Sequence, residues 1–246
     1  MISAAILTKN EEKNIRDCLN SLSFCDEVLV VDDYSIDKTV SIAKQLKARV
    51  LKRKLKNNFS SQRNFALEKA KYEWVLFVDA DERVTKELSD EIIQSIKNTN
   101  IDGYYLKRKD FILDKEIKYG EAGFVKLLRL GRKNKGLWER SVHERWNVKG
   151  NIGVLNNPLL HYPHENIFQF VKELDYFSTL HAQENLKEGK RANPLRIFIM
   201  PISHFIKNYI LSLGFLDKTH GFVIASLMSF HSFLSWSKMY LSQKSK

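Results

Sequence analysis

Three observations predict an α/β protein built on a mainly parallel, Rossmann-like sheet, with a helical region appended. Over residues 2–109 short apolar runs alternate with stretches of helical periodicity, which is the pattern of repeated βα units. Polar clusters stand directly after three of those runs, where an open α/β sheet binds its ligands. From residue 166 onward the alternation is lost and the chain becomes helical, apolar and basic. The expected division is therefore an α/β domain over 1–165 and a C-terminal helical region over 166–246.

Residues 2–7 read as the first strand, and Asn10 stands where it can cap a helix over about 11–22, with Ile15, Leu19 and Leu22 on one face. Residues 27–31 form the second strand, which runs into Asp32-Asp33-Tyr34-Ser35-Ile36-Asp37 before a helix over 39–46. A short strand over 49–51 and a helix over 61–70 bearing Arg63 and Asn64 follow. Residues 74–78 are an uninterrupted apolar run, of the kind buried on both faces of a sheet. A helix over about 85–96 and a strand over 103–107 complete the series.

Right-handed crossovers put the carboxyl ends of the first, second and fourth strands on one rim. Thr8, Asn10 and Glu11 stand at one end, Asp32, Asp33, Ser35 and Asp37 at the next, and Asp79, Asp81 and Glu82 at the third. Turn and cap chemistry accounts for Asn10, Ser35 and Asp37 as readily as a ligand does. Capping needs one residue per helix, however, and these are clusters. The carboxylates of Asp79, Asp81 and Glu82 repel one another in a low dielectric, so the expected partner is a divalent cation.

The formal net charge of +11 fits nucleic acid, an anionic membrane surface or a phosphorylated ligand. Acids clustered on the rim would repel nucleic-acid phosphates, so no nucleic-acid partner is expected. Cys18 and Cys25 make no disulfide framework or metal-type spacing, which fits a reduced, cytoplasmic setting. The opening MISAAILTKNEE turns polar too early for a secretion signal.

The segments AAILTKNEE, EVLVVDDYSIDKT, SSQRNFAL and VLFVDADE, in that order, resemble the N-terminal half of the inverting GT-A glycosyltransferases of family two, over residues 2 to about 110. Within that family VHE at 142–144, His161 after an apolar run and GFLDKTHGF at 214–222 resemble the bacterial lipopolysaccharide core glucosyltransferases. The resemblance implies a GT-A fold and an enzyme that moves one sugar from a nucleoside diphosphate, UDP being favoured, to a membrane-associated glycan such as lipopolysaccharide core. It implies that Thr8, Asn10, Glu11, Asp32 and Asp33 hold the base and ribose, with Arg63 close by. Asp79 and Asp81 would bind Mn²⁺ or Mg²⁺, Asp81 being the principal ligand. The Gln-x-x-Arg-Trp motif of processive relatives is absent, so synthesis of a long polymer is not expected.

An inverting transfer needs a general base for the acceptor hydroxyl. Glu144 matches the family position, and Glu139 is the reserve. Lys126, Arg129, Arg132, Lys133 and Lys135, together with His143 and His161, are candidate contacts for a diphosphate or acceptor, although a basic solvated hairpin explains the cations equally well; His161 and His164 are candidate contacts for the metal or diphosphate, a structural role being the alternative for a lone histidine. Two rivals stand beside this reading. A nucleotidyltransferase would need a glycine-rich basic loop after the first strand, and TKNEEKN has no glycine. A non-catalytic module for anionic lipid or nucleic acid would not need the acidic rim.

Ile167, Phe170, Val171, Leu174, Phe177 and Leu180 recur at helical spacing, giving an amphipathic helix to about residue 188. After Gly189 and Pro194, apolar aromatic segments cover 195–216 and 222–241. Neither has about 20 uninterrupted apolar residues, so a membrane span is not expected. An interfacial region with Arg191, Arg196, Lys207, Lys218 and Lys238 toward anionic lipid is expected, placing the enzyme peripherally on the inner face of the cytoplasmic membrane. The alternative is a helical subdomain packed on the core or on a second subunit.

Overall fold

The computed structural model describes residues 1–123, 125–142, 144–164 and 166–244. The chain forms two compact units, Met1–Arg108 with Lys126–His161, and Lys109–Val125 with Tyr162–Lys246. The excursion Lys109–Val125 left no mark in the sequence pattern.

In the first unit β1 (Ile2–Thr8), β2 (Glu27–Asp32), β3 (Arg49–Lys52) and β4 (Trp74–Asp79) pair in parallel in the order β3-β2-β1-β4. Successive side chains point to opposite faces, and both faces are apolar. Ala4, Ile6, Val30, Leu76 and Val78 pack under α1 (Ile15–Ser21), α2 (Thr39–Gln45) and α4 (Lys86–Ser95). Ala5, Leu29, Val31, Val75 and Phe77 meet α3 (Phe59–Lys69). Each large apolar side chain so buried contributes about 1.5–3 kcal/mol. Buried Glu27 is paired, accepting from Ser3 Oγ at 2.6 Å, from the Lys71 N–H at 2.7 Å and from Arg49 at 3.0 Å.

The rest of the sheet departs from the mainly parallel expectation. β5 (Glu82–Val84), β6 (Gly103–Ile112), β8 (Lys126–Arg132) and β11 (Ile152–His164) extend it in the order β4-β8-β6-β11-β5, with the β4–β8, β6–β8 and β5–β11 pairs antiparallel, and β7 (Lys115–Ile117) turns back on β6. The sheet is mixed. The physical reason is that β8 and β11 arrive without the intervening α-helix that a parallel return requires. β9 (Gly136–Glu139) and β10 (Arg145–Val148) form a separate antiparallel pair.

One local expectation is also corrected. Asn10 does not cap a helix: it lies in the left-handed region at φ 56°, and α1 starts only at Ile15, after Asn14. Its amide is engaged elsewhere, accepting the Ile36 N–H at 2.9 Å.

The second unit is helical apart from β7 and the strand ends it takes in. α5 (Ile167–Lys187) follows the predicted periodicity, and Asn166 caps it by accepting the Gln169 N–H at 2.9 Å. α6 (Pro194–Ile206) opens with an Asn193 cap and Pro at the first turn, where proline is tolerated. The apolar stretch after it is not one helix. It passes through a π-turn (Lys207–Leu211) and a 3₁₀ turn (Gly214–Asp217) into α7 (Lys218–Lys244). Leu213 and Lys218 turn the corner at φ 60° and 56°. Gly221 lets α7 close on it, since a Cβ there would stand 1.8 Å from the Gly214 carbonyl oxygen. The core of this unit is Ile112, Ile117, Ala122, Phe170, Leu174 and Ile224. Among the described residues no single helix is long and apolar enough to cross a membrane; Pro194–Leu211 and Gly214–Lys244 reach that composition only together, bent by 71°.

Candidate active site

The parallel register sets the first half of the site. Thr8 stands beside Asp32 and Leu7 beside Asp79, so the carboxyl ends of β1, β2 and β4 lie on one rim, as the sequence predicted. The loops after β1 and β2 are joined by hydrogen bonds. The Asn10 N–H donates to Ser35 Oγ at 2.9 Å, the Glu11 N–H to Thr39 Oγ1 at 2.7 Å and the Glu12 N–H to Asp37 at 3.0 Å. Asp32 is fully buried and accepts from the Ser35 N–H at 3.0 Å and from the hydroxyls of Ser35 and Thr8, so it holds the loop. Asp33 sits at the surface of this half, accepting from Lys9 Nζ at 2.7 Å and from the Leu55 N–H at 3.0 Å. Tyr34 next to it is half-exposed, with Lys52 and Lys54 5.8 and 5.9 Å from its ring centroid.

The second half is a chain of alternating charges. Both oxygens of Asp79 accept from arginine, Oδ1 from Arg63 Nη2 at 2.9 Å and Oδ2 from Arg129 Nη2 at 2.6 Å. Arg63 turns its Nε to Glu144 Oε1 at 2.7 Å. The guanidinium of Arg63 lies 4.8 Å from the Trp138 ring centroid and 5.7 Å from that of Phe77, held between flat apolar surfaces. Buried Glu82 accepts the Asp79 N–H at 2.8 Å and faces Arg108 and Arg129 at 3.8 and 3.9 Å. Past this chain, His161 Nε2 lies 3.3 Å from Asp81 Oδ2. That pair follows from the antiparallel register, which puts His161 opposite Glu82.

The charges decide the protonation states. Burial pushes the Asp79 carboxyl up, but the charges of Arg129 and Arg63 outweigh it and hold the group well below the usual carboxylate range. Glu144 behaves alike: burial opposes, and Arg63 and Arg129 hold it ionised. Asp81 is lowered against its burial by His161. For Glu82 burial wins and the carboxyl is raised. Among the described residues Arg63 Nη1, Arg129 Nη1 and Glu82 Oε1 are buried without a hydrogen-bond partner, so this network keeps unspent donor and acceptor capacity.

Glu144 owes its place to packing. Trp138 and Trp146 stack on each other at 5.5 Å and meet Phe77 edge-on at 5.0 and 5.2 Å, which docks the β9–β10 pair on the sheet. Asn64 locks the same strand, its amide donating to the Trp138 carbonyl at 2.9 Å and accepting the Trp138 N–H at 2.8 Å. Glu139 lies opposite Arg145 on that pair, exposed and accepting from Asn147 at 3.2 Å.

The basic candidates separate. Arg129 joins the charge chain. Lys126 is exposed at the start of β8. Arg132, Lys133 and Lys135 lie toward the opposite rim, because Arg132 is level with Trp74 at the amino end of β4; they bind Glu73, the Ala70 carbonyl and Asp102. They are therefore structural cations and not part of the rim. His164 belongs to the second unit and stacks on Phe170 at 3.8 Å. His143 lies outside the described residues. Arg108 escaped sequence reasoning altogether, because a lone arginine in a strand carries no signal until the fold sets it beside Glu82.

A doubly wound parallel half, an acidic strand rim and an antiparallel extension carrying arginines define the class as an α/β protein with a polar site at the carboxyl ends of its parallel strands. Residues 3–147 match glycosyl transferase family 2. The chain belongs to that family and is a glycosyltransferase. It is 32% identical to an uncharacterized glycosyltransferase of Rickettsia felis, over 97% of this chain and 89% of that protein. It is 28% identical to the lipopolysaccharide core biosynthesis glycosyltransferase LpsC of Rhizobium meliloti, over 97% and 92%. The fold is similar to that of S. aureus TarS residues 1–349, with a TM-score of 0.50 at 19% identity, covering 100% of this chain and 92% of that one. With the family shown, the nucleotidyltransferase and non-catalytic readings fall away.

Proposed function

We propose that the enzyme transfers a single sugar, with inversion, from a UDP-sugar to a lipopolysaccharide-core type glycan, working on the inner face of the cytoplasmic membrane. The observation that carries the reading is the run Glu144–Arg63–Asp79–Arg129 beside the Asp81–His161 pair. Thr8, Asn10, Glu11 and Asp33 form the nucleotide end, on a loop that buried Asp32 holds, with Asp33 the partly buried carboxylate able to accept the imide N–H of uracil. The name of LpsC supports a lipopolysaccharide-core acceptor.

Among the described residues no three His, Cys, Asp or Glu side chains converge as a metal cage. The donor set at the rim nonetheless fits a divalent cation that takes its remaining ligands from a diphosphate: Asp81 supplies a carboxylate and His161 an imidazole, a combination that suits Mn²⁺ better than Mg²⁺. A bound cation would act as a Lewis acid on the departing diphosphate. Asp79 serves differently from the ligand role expected of it, because its two oxygens gather Arg63 and Arg129 at the rim, where their charge opposes that of the leaving group. Glu144, held ionised, takes the proton of the acceptor hydroxyl, and Arg63 fixes its orientation. The lowered carboxyl makes it a weak base in the ground state but keeps it ionised.

Titration calorimetry with UDP, with and without Mn²⁺ or Mg²⁺, tests the donor half, and the anomeric configuration of the product tests inversion. Equal UDP affinity with and without metal, unchanged by Asp81→Asn, would remove the metal from the reading. A product retaining the donor's configuration would remove Glu144 as base.

A further inference from the structure

The second unit has an inverted polarity. α6 is the most apolar helix of the chain, yet Pro201 is its one buried residue. Leu195, Phe198, Ile202 and Ile206 recur at steps of three and four and are 64, 69, 60 and 41% exposed, so they form one outward helical face. The π-turn and corner continue it with Ile210, Leu211 and Phe215 at 52, 73 and 44%. In α7 the buried positions are Gly221, Ile224, Ala225, His231, Ser232, Ser235 and Met239, most of them small or polar, while Phe222, Phe230, Phe233 and Leu241 face out. Small and polar residues inside with aromatic and aliphatic residues outside is the arrangement of helices that meet lipid.

Charge selects the kind of lipid. Over residues 189–244 the basic side chains are Lys190, Arg191, Arg196, Lys207, Lys218, Lys238 and Lys244, against the single acid Asp217. Asp217 is buried and accepts the N–H groups of Lys118 and Tyr119 at 3.0 and 2.9 Å, so no carboxylate of this stretch faces outward. Lys207 and Lys218 interrupt the apolar run, and the two arms are bent by 71°, which suits immersion in the interface and not a straight crossing. A second copy seated on the same face would set Arg196 and Lys207 against their own like charges.

We infer that α6 and its corner with α7 are immersed in one leaflet of an anionic phospholipid bilayer, so that apolar insertion, and not surface charge alone, anchors the enzyme. This rests on the membrane-surface part of the function proposed above and assigns the residues and the mode of attachment.

The test uses the full chain and vesicles of phosphatidylcholine with or without phosphatidylglycerol. The wild type should float with anionic vesicles and stay bound through a high-salt wash. Phe198→Ser/Ile202→Ser/Ile206→Ser should lower the bound fraction at least about tenfold at either salt, through lost apolar burial, with far-UV circular dichroism and UDP binding unchanged. Arg196→Gln/Lys207→Gln should weaken binding at low salt only. A single Phe198→Cys carrying an environment-sensitive dye avoids any folding question and should shift to the blue on vesicle addition. Release of the wild type by salt, with no dye shift, would overturn insertion while leaving a peripheral enzyme intact. Failure to float at all would overturn both. A wild-type dimer that the triple substitution converts to monomer would give the face to a second copy instead.

Discussion

In the first unit Ile6, Leu29, Val30, Leu76 and Phe77 are sealed between helices and hairpin, whereas in α6 and α7 Leu195, Phe198, Ile202, Phe222, Phe230 and Phe233 are exposed while Gly221, His231, Ser232 and Ser235 are buried beside Ile224 and Met239. The same residue types do opposite work. In the sheet they supply the burial that folds the chain; in the helical unit a small core of Ile112, Ile117, Phe170, Leu174 and Ile224 does this, while most of the apolar side chains of α6 are left as surface and the backbone approaches closely at Gly214 and Gly221. Apolar composition alone therefore does not say core. What distinguishes the two cases is whether a second layer covers the residue.

The contrast can be broken at its chemistry first. Asp81→Asn should cost about a thousandfold or more in turnover, several kcal/mol of lost leaving-group stabilisation, and should abolish metal-dependent UDP binding while leaving vesicle binding untouched; a mutant with a tenth of wild-type turnover would refute the role. Next, Leu76→Ala in the closed core should lower unfolding stability by about 2–5 kcal/mol. Ile202→Ala on the open face of α6 should change it by less than about 0.5 kcal/mol in denaturant titration. Equal losses at the two positions would mean that α6 is covered.

Glu144→Gln should reduce turnover by roughly a hundredfold with donor affinity nearly unchanged, since a base acts in the transition state. Glu139→Gln should be close to wild type; the reverse pattern would exchange their roles. The smallest effect concerns acid. Glu27 is lowered, its burial being opposed by bonds from Ser3, the Lys71 N–H and Arg49. A depressed carboxyl contributes stability above the unfolded pKa of about 4.3, and the contribution is lost as pH falls through the lower folded value. Glu27→Gln should therefore flatten the pH dependence of stability below about pH 4.3 and have its full cost above it, measured by thermal unfolding across that window.

Much of the rim was legible in the chain itself. Alternating apolar runs and helical periods specify parallel βα units, because strands buried on both faces must be apolar throughout, and the parallel order then obliges Thr8, Asp32 and Asp79 to share an edge. The period of α5 was equally plain, since its apolar residues recur every three or four positions.

Tertiary structure alone decided the rest. The meeting of Asp81 with His161 and the use of Arg129 but not Arg132 depend on antiparallel registers between strands far apart in sequence, and the pairing of Arg63 with both Asp79 and Glu144 depends on how α3 docks against β4 and the β9–β10 pair. Local propensity carries no record of register, because the side-chain period of a strand is two whichever partner it takes. For the same reason the sequence by itself determined that residues 195–241 are apolar, helical and basic, and left to the packed chain the question of which of those residues face outward.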